Sequence, residues 1–130
     1  MRRRLAVAAA AKPTVLVTGA AGRTGSLLYA RLKQDVRIGA VRALVRNATK
    51  ARDILNCTKC DASEGIYVGD VTKPETMKSA MEGVDTLAIA AAVGGDASAK
   101  LMRAVEFDGV EHQVSTLVAQ HATTNVSALR

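Results

Sequence analysis

The sequence predicts an α/β fold with a doubly wound parallel sheet, and three observations carry that prediction. Short β-branched and apolar runs alternate along the chain with stretches of helical composition. The first run, Val15, Leu16 and Val17, is apolar at consecutive positions, as in a central strand covered on both faces. A glycine series then breaks the run: in TVLVTGAAGRTG, residues 14–25, Gly19, Gly22 and Gly25 fall at every third position.

The elements follow in order. Residues 18–22 read as a turn, and a helix opens from it to about Gln34. Residues 41–46 (VRALVR) read as a second strand, 47–55 as a short, irregular helix, and 66–68 as a third strand. A helix starts at Lys73 and Pro74, with Thr72 expected as its N-cap, Pro74 at the first helical position and Glu75 in the first turn, and it ends at Gly83. A fourth strand is expected over 86–91, preceded by Asp85, with small residues continuing through 90–95. From about Lys100 to His121 the residues Leu101, Val105, Val110, Val114, Leu117 and His121 fall near a 3.6-residue period, which predicts a long amphipathic helix. No internal repeat is present. Right-handed crossovers between these elements give a parallel sheet of order 3-2-1-4, reversing between strands one and four, where ligands of such sheets bind.

The glycine turn is the candidate site. Glycines let a backbone approach a diphosphate closely, and a helix N-terminus supplies unpaired N–H groups and about half a positive charge. Gly19, Ala21, Gly22, Arg23, Thr24 and Gly25 are therefore expected to line the phosphates. The spacing is G-x-x-G-x-x-G, so only Gly22 and Gly25 match the end of the usual G-x-G-x-x-G series, with Ala20 at its first position. A strand-to-helix turn without a ligand is the alternative. Strand two ends in Arg46 where an acidic residue would accept bonds from a ribose 2′-hydroxyl. Arg46 on one side and Arg23 on the other suit a 2′-phosphate in guanidinium fork geometry, so NADP is expected over NAD. A solvated strand-end charge is the alternative for Arg46.

Composition bounds the rest. A chain of 130 residues with 48% hydrophobic residues supports one domain. Its only aromatic residues are Tyr29, Tyr67 and Phe107, so the core is expected to be built from Val, Leu, Ile, Ala and Met. Net charge is +6, half of it from Arg2, Arg3 and Arg4. Arginines without aromatic stacking platforms or a reading helix argue against nucleic acid and for a smaller anion. No apolar run approaches the roughly 18 residues of a membrane span, so a soluble chain is expected, cytoplasmic or in the soluble phase of a plastid or mitochondrion. Residues 1–13 are basic and alanine-rich and read as a disordered leader, with a targeting remnant as the alternative.

The strings TGAAGRTG, VRALVRN, GIYVGDVTKPETMKSAMEGVDTLAIAAA and VEFDGVEHQVSTLVAQ resemble the NmrA-like, atypical members of the short-chain dehydrogenase/reductase superfamily, over residues 14 to about 120. The resemblance implies a Rossmann-like fold and an NADP or NAD cofactor. It also implies that Asp70 contacts the adenine amine, that Val71 lies against the ring, and that Ala90, Ala91 and Ala92 are short so that a cofactor ribose can lie on the backbone. From the residues alone, Asp70 is also an ordinary turn residue and the alanines are also tight packing.

The superfamily reduces carbonyls with a Tyr-x-x-x-Lys pair after a fifth strand. Here Tyr29-x-x-x-Lys33 matches the letters on the first helix, away from the nicotinamide, so Tyr29 is expected to pack and Lys33 to be solvated. No catalytic residue is assigned. Residues 122–130 hold only Val126 and Leu129 for a fifth strand and read as a divergent tail. The partial domain over 14–121 is thus expected to be truncated after strand four and its following helix, with an exposed strand edge prone to self-association. Its use is read as the cofactor domain of an oxidoreductase, with a non-catalytic dinucleotide sensor or an inactive fragment as alternatives. Cys57-Thr-Lys-Cys60 lacks the further ligands a zinc site needs, with His112 and His121 on another element. Because it follows a helix where redox pairs usually begin one, it is expected to hold two reduced thiols, a regulatory disulfide being the alternative.

Overall fold

The computed structural model describes residues 11–128 of the chain, with side chains described through Ala122. Four strands, β1 (Thr14–Thr18), β2 (Ala40–Val45), β3 (Ile66–Val68) and β4 (Thr86–Ile89), form one sheet in the order β3-β2-β1-β4. Every pairing is parallel, with Val17 opposite Ala43 on one side and Ala88 on the other. The predicted order and its reversal between β1 and β4 are both present.

Successive β1 side chains point to opposite faces, and each face has its own apolar cluster. Val17 packs with Tyr29, Ala43, Val45, Ala51, Cys60 and Ile66, beneath α1 (Arg23–Lys33) and α2 (Ala48–Leu55). Leu16 packs with Leu44, Val71, Met77, Met81, Val84 and Val105 on the other face. That face is covered by a 3₁₀ turn (Pro74–Met77), α3 (Lys78–Met81) and α5 (Gly109–Ala128), while α4 (Ala99–Arg103) buries no residue. Aliphatic side chains fill both clusters, joined by Met77 and Met81 on the Leu16 face and by Tyr29 and Cys60 on the Val17 face.

Polar pins set the register. Asp85 accepts from the Thr14 N–H at 2.8 Å and donates its own N–H to the Thr14 carbonyl at 2.9 Å, fixing the start of β4 on β1. Arg42 donates to the carbonyls of Ala80 (2.9 Å) and Glu82, where α3 ends, and lies 5.5 Å over the Tyr67 ring. Backbone carbonyls at a helix end carry partial negative charge, so the guanidinium satisfies acceptors that would otherwise be orphaned.

Several expectations need correction. β2 spans Ala40–Val45, one residue earlier than expected, because Pro13 O takes the Gly39 N–H at 2.9 Å and starts the ladder at Thr14; Arg46 therefore lies just beyond the strand. The helix after it is regular, since the Asn47 side chain caps the N–H groups of Thr49 and Lys50. Thr72 caps nothing: Asp70 Oδ1 takes its hydroxyl at 2.7 Å and its N–H at 2.9 Å, leaving Lys73 at the N-cap position. β4 ends at Ile89, so Ala90 and Ala91 belong to the loop.

The long helix is interrupted. A π-helical segment, Ala104–Asp108, separates α4 from α5. Its extra residue per turn rotates the buried face, so Leu101 and Val114 are 45% and 48% exposed while Val105 and Gln113 are buried. α5 continues to Ala128, past the expected end at His121, and no fifth strand occurs among the described residues. Most of the expected leader, 1–13, lies outside the described residues.

Cys57 and Cys60 are joined in a disulfide, which overturns the reading of two reduced thiols. Asn56 and Cys60 both adopt left-handed φ values, 57° and 54°, and this folds the chain back so that the sulfurs meet. Neither the sequence spacing nor the preceding helix announces that backbone.

Candidate functional site

The glycine turn joins β1 to α1 at the carboxyl end of the sheet. Gly19 has φ +63°, a left-handed conformation that L side chains rarely adopt. A Cβ there would lie 2.6 Å from Ala90 O and from Ala91 N and Cα, so the chain leaving β4 passes directly over it. Gly22 N–H closes the turn on Gly19 O at 3.0 Å. A Cβ on Gly25 would sit 2.0 Å from Gly19 O, so α1 is seated against the turn with room only for hydrogen. All three glycines are thus accounted for by close approach.

What the turn presents is a row of donors. Gly22 is the N-cap of α1 and contributes no side-chain cap, and the first turn holds no acidic residue. Ser26 is the first residue of the helix region whose N–H returns to the turn, bonding Gly22 O at 2.9 Å. The N–H groups of Arg23, Thr24 and Gly25 find no acceptor among the described residues, and Ala21 lies half-buried beside them. A helix N-terminus left open in this way is complementary to an anion.

β2 and β3 supply the rim. Ala20 N–H bonds Leu44 O at 3.3 Å and Gly69 N–H bonds Val45 O at 2.9 Å, which brings the glycine turn, Arg46 and Asp70 to the same end of the sheet. Arg23 and Arg46 are exposed, and neither guanidinium makes a hydrogen bond or ion pair among the described residues. Burial works to raise the Asp70 carboxyl. The Thr72 hydroxyl and N–H, aided by the charges of Lys73 and Arg46, outweigh it and hold the group below its ordinary value of 3.8. Asp70 is therefore an anion beside Arg46. Its loop is fixed by Thr76, whose hydroxyl oxygen accepts from Asp70 N–H at 2.8 Å and whose O–H faces the carbonyls of Lys73 at 2.7 Å and Asp70 at 3.0 Å.

The remaining expected contacts divide. Ala90 and Ala91 line the turn through their backbones, and Ala90 N–H bonds Thr18 O at 3.2 Å; Ala92 is exposed one residue further on. Val71 points the other way: its side chain is buried in the core against Gly109, and its carbonyl receives His112 Nδ1 at 3.1 Å. Sequence reading missed Lys73 and Thr76 as parts of this rim. The signal was there in Asp70-x-x-Lys73, a cation three residues after the carboxylate.

Tyr29, on the inner face of α1, is 3% exposed, and the exposed Lys33 lies 5.2 Å over its ring; packing was expected for the tyrosine and solvent for the lysine. Tyr67 is packed against Arg42. His121 bonds Val84 O at 2.7 Å, and among the described residues no cluster of His, Cys, Asp and Glu is arranged to hold a metal ion.

A parallel sheet with a switch point, a glycine turn against an uncapped helix and a basic rim define a dinucleotide-binding α/β domain. Residues 19–128 match the NAD(P)H-binding family, and the chain belongs to that family. Over 78 residues it is 40% identical to sanguinarine reductase of Eschscholzia californica, covering 60% of this chain and 26% of that protein. Over 86 residues it is 35% identical to an uncharacterised chloroplastic protein of Arabidopsis thaliana, covering 65% of this chain and 25% of the relative. The fold matches the thiolation-reductase di-domain of an archaeal non-ribosomal peptide synthetase with a TM-score of 0.64 and 26% identity, over 81% of this chain and 32% of that one. The chain thus spans about a quarter of the length of these curated relatives. No helix among the described residues is long and apolar enough to cross a membrane.

Proposed function

We propose that this NAD(P)-binding domain takes NADP(H) in preference to NAD(H) and serves as the cofactor-binding part of a reductase. The observation that carries the reading is the pair of exposed guanidiniums, Arg23 and Arg46, which make no hydrogen bond or ion pair among the described residues, at the rim of an uncapped helix N-terminus. The open N–H groups of Arg23, Thr24 and Gly25 suit the diphosphate, and the absent Cβ of Gly19 lets the Ala90–Ala91 backbone close on the turn beside them. A 2′-phosphate between two arginines gains charge-assisted bonds that a 2′-hydroxyl cannot match. Asp70 accepts from the adenine amine with its second carboxylate oxygen, since Oδ1 is committed to Thr72. Val71 supports the ring through its backbone, its side chain being in the core. When bound, the cofactor supplies a hydride; the residues of this chain hold and orient it.

The test is a titration of NADPH and NADH, followed by cofactor fluorescence, against the wild type and Arg46→Ala. NADPH affinity is expected to fall about 10- to 100-fold in the variant, the worth of a charged hydrogen bond, while NADH affinity stays within about twofold. Equal affinities untouched by the substitution would remove the 2′-phosphate assignment.

A second reading is a non-catalytic dinucleotide sensor. It is favoured by the placement of both tyrosines, Tyr29 in the core and Tyr67 against Arg42, where neither can donate a proton to a substrate on the cofactor. NADPH binding without NADPH oxidation across a panel of quinones, aldehydes and iminium compounds supports the sensor. Turnover with any of them supports the reductase.

A further inference from the structure

The connection from α2 to β3 carries an arrangement that the cofactor site does not use. The disulfide between Cys57 and Cys60 spans Cα atoms 5.1 Å apart and closes a ring within a single turn of chain. Cys60 is 4% exposed, packed with Ala51, Val45 and Ile66, whereas Cys57 is half-buried at the margin of the same cluster. The two sulfurs are therefore unequally accessible, and thiol–disulfide exchange begins at the one a reductant can reach. A ring this short also removes little entropy from the unfolded chain, so the bond is weakly held as a structural staple.

A second restraint works on the same turn. Glu64 accepts the N–H groups of Thr58 at 3.0 Å, Lys59, and Cys60 at 2.9 Å. None of these bonds uses a sulfur atom. They favour the curled backbone, with Cys60 in its left-handed conformation, that brings the two sulfurs together. Two thiols held face to face re-form their bond readily, because the effective concentration of one at the other is high.

We infer that Cys57–Cys60 is a reversible thiol–disulfide exchange site served by dithiol reductants, with Cys57 the sulfur attacked and Glu64 the positioning residue. One thiolate of the dithiol attacks Cys57 Sγ, the Cys57–Cys60 bond breaks, and its electron pair leaves on Cys60 Sγ, which takes a proton. The second thiolate of the reductant then attacks its own sulfur in the mixed disulfide, and the Cys57 thiolate that leaves takes the second proton. The reductant gives up two electrons and two protons and becomes a cyclic disulfide; the cysteine pair receives them. The same turn leads into β3, an edge strand whose Ile66 N–H is tied to Asp61 O at 2.9 Å.

The experiment uses the full chain in dithiothreitol redox buffers without denaturant, quenched with a maleimide and read by intact mass. No labelled thiol is expected before reduction and two afterwards, reversibly, with the melting temperature of the reduced form lower by about 5 °C. In the single variants Cys60→Ser and Cys57→Ser, the remaining Cys57 thiol is expected to react with an aromatic disulfide reagent about tenfold faster than the remaining Cys60 thiol. Glu64→Gln is expected to move the disulfide–dithiol equilibrium about tenfold toward dithiol at fixed buffer, a shift a merely structural side chain would not produce. Two free thiols in the aerobically purified chain, reduction that demands denaturant, or equal reactivity of the two serine variants would each overturn the site. An unshifted equilibrium in Glu64→Gln would overturn the role of Glu64. None of these measurements uses a cofactor, so their failure and the failure of the NADP(H) reading are separate results.

Discussion

The starts of α1 and α2 pose the same problem and solve it in opposite ways. Each exposes N–H groups with no partner in the preceding turn. At α2, Asn47 Oδ1 accepts from Thr49 N at 2.9 Å and Lys50 N at 3.2 Å, and the end is closed. At α1, Gly22 occupies the same N-cap position and offers nothing. The Cys57–Cys60 turn sides with α2, since Glu64 fills its row of N–H groups. The proposed anion site rests on this contrast: one row of N–H groups stays open, beside two arginines that make no hydrogen bond or ion pair among the described residues.

The largest test of the comparison is Gly25→Ala. A methyl group 2.0 Å from Gly19 O cannot be accommodated without lifting α1 off the turn. A loss of about 3 kcal/mol in urea unfolding is expected, at the upper end for overpacking, together with loss of measurable NADPH binding. A variant that kept both would show that α1 is not seated as described.

Gly22→Asp converts the open end into a closed one. The φ of Gly22 is −79°, which any residue adopts, and its Cβ would meet Gly19 O at 3.2 Å, a contact relieved by a small shift. The new carboxylate takes the N–H groups of the first turn and repels phosphate. NADPH affinity should fall about 100-fold, while stability changes by only a few tenths of a kcal/mol, the usual difference between Gly and Asp at this position. Binding that survived would mean the diphosphate does not use the α1 terminus.

Asn47→Ala is the converse. Removing the cap from α2 should cost about 1 kcal/mol of stability, read from urea unfolding, and leave NADPH affinity within twofold. An equal loss of cofactor affinity would mean that the two helix ends are not independent.

The pattern of legibility follows the range of the forces involved. β1, its glycine turn and the strand order were readable because each is declared by neighbouring residues: an apolar run, a spacing of glycines, an alternation of elements. Pro74 likewise marked its turn. The rotation of the helix face past Ala104 was not readable, because a π segment changes no residue type and only shifts which side of Leu101 and Val114 meets the sheet. The cysteine pairing depended on left-handed backbone at Asn56 and Cys60, set by Glu64 four residues on. In the proposed site, Arg46 could be named from its strand end and Asp70 from the family resemblance, but that Val71 turns its side chain inward depends on Gly109, distant in sequence.

The smallest expected effect separates the two kinds of closed end by pH. The N–H of Thr58 chiefly holds the Glu64 carboxyl below its ordinary 4.5, against the opposing effect of burial, with Lys59 and Cys60 N–H adding to it and the Asp61 charge working the other way. The folded state thus binds fewer protons than the unfolded state in the range between the lowered value and 4.5. The sign follows: this contribution to stability is whole above pH 4.5 and is lost as pH falls through the lowered value. Asn47 caps α2 with a neutral amide and has no such dependence. Amide proton shifts followed from pH 7 downward should therefore stay constant to about pH 5 for both regions, then move for Thr58, Lys59 and Cys60 while Thr49 and Lys50 hold still. Parallel movement in the two sets would mean a global change rather than release of one carboxylate from its turn.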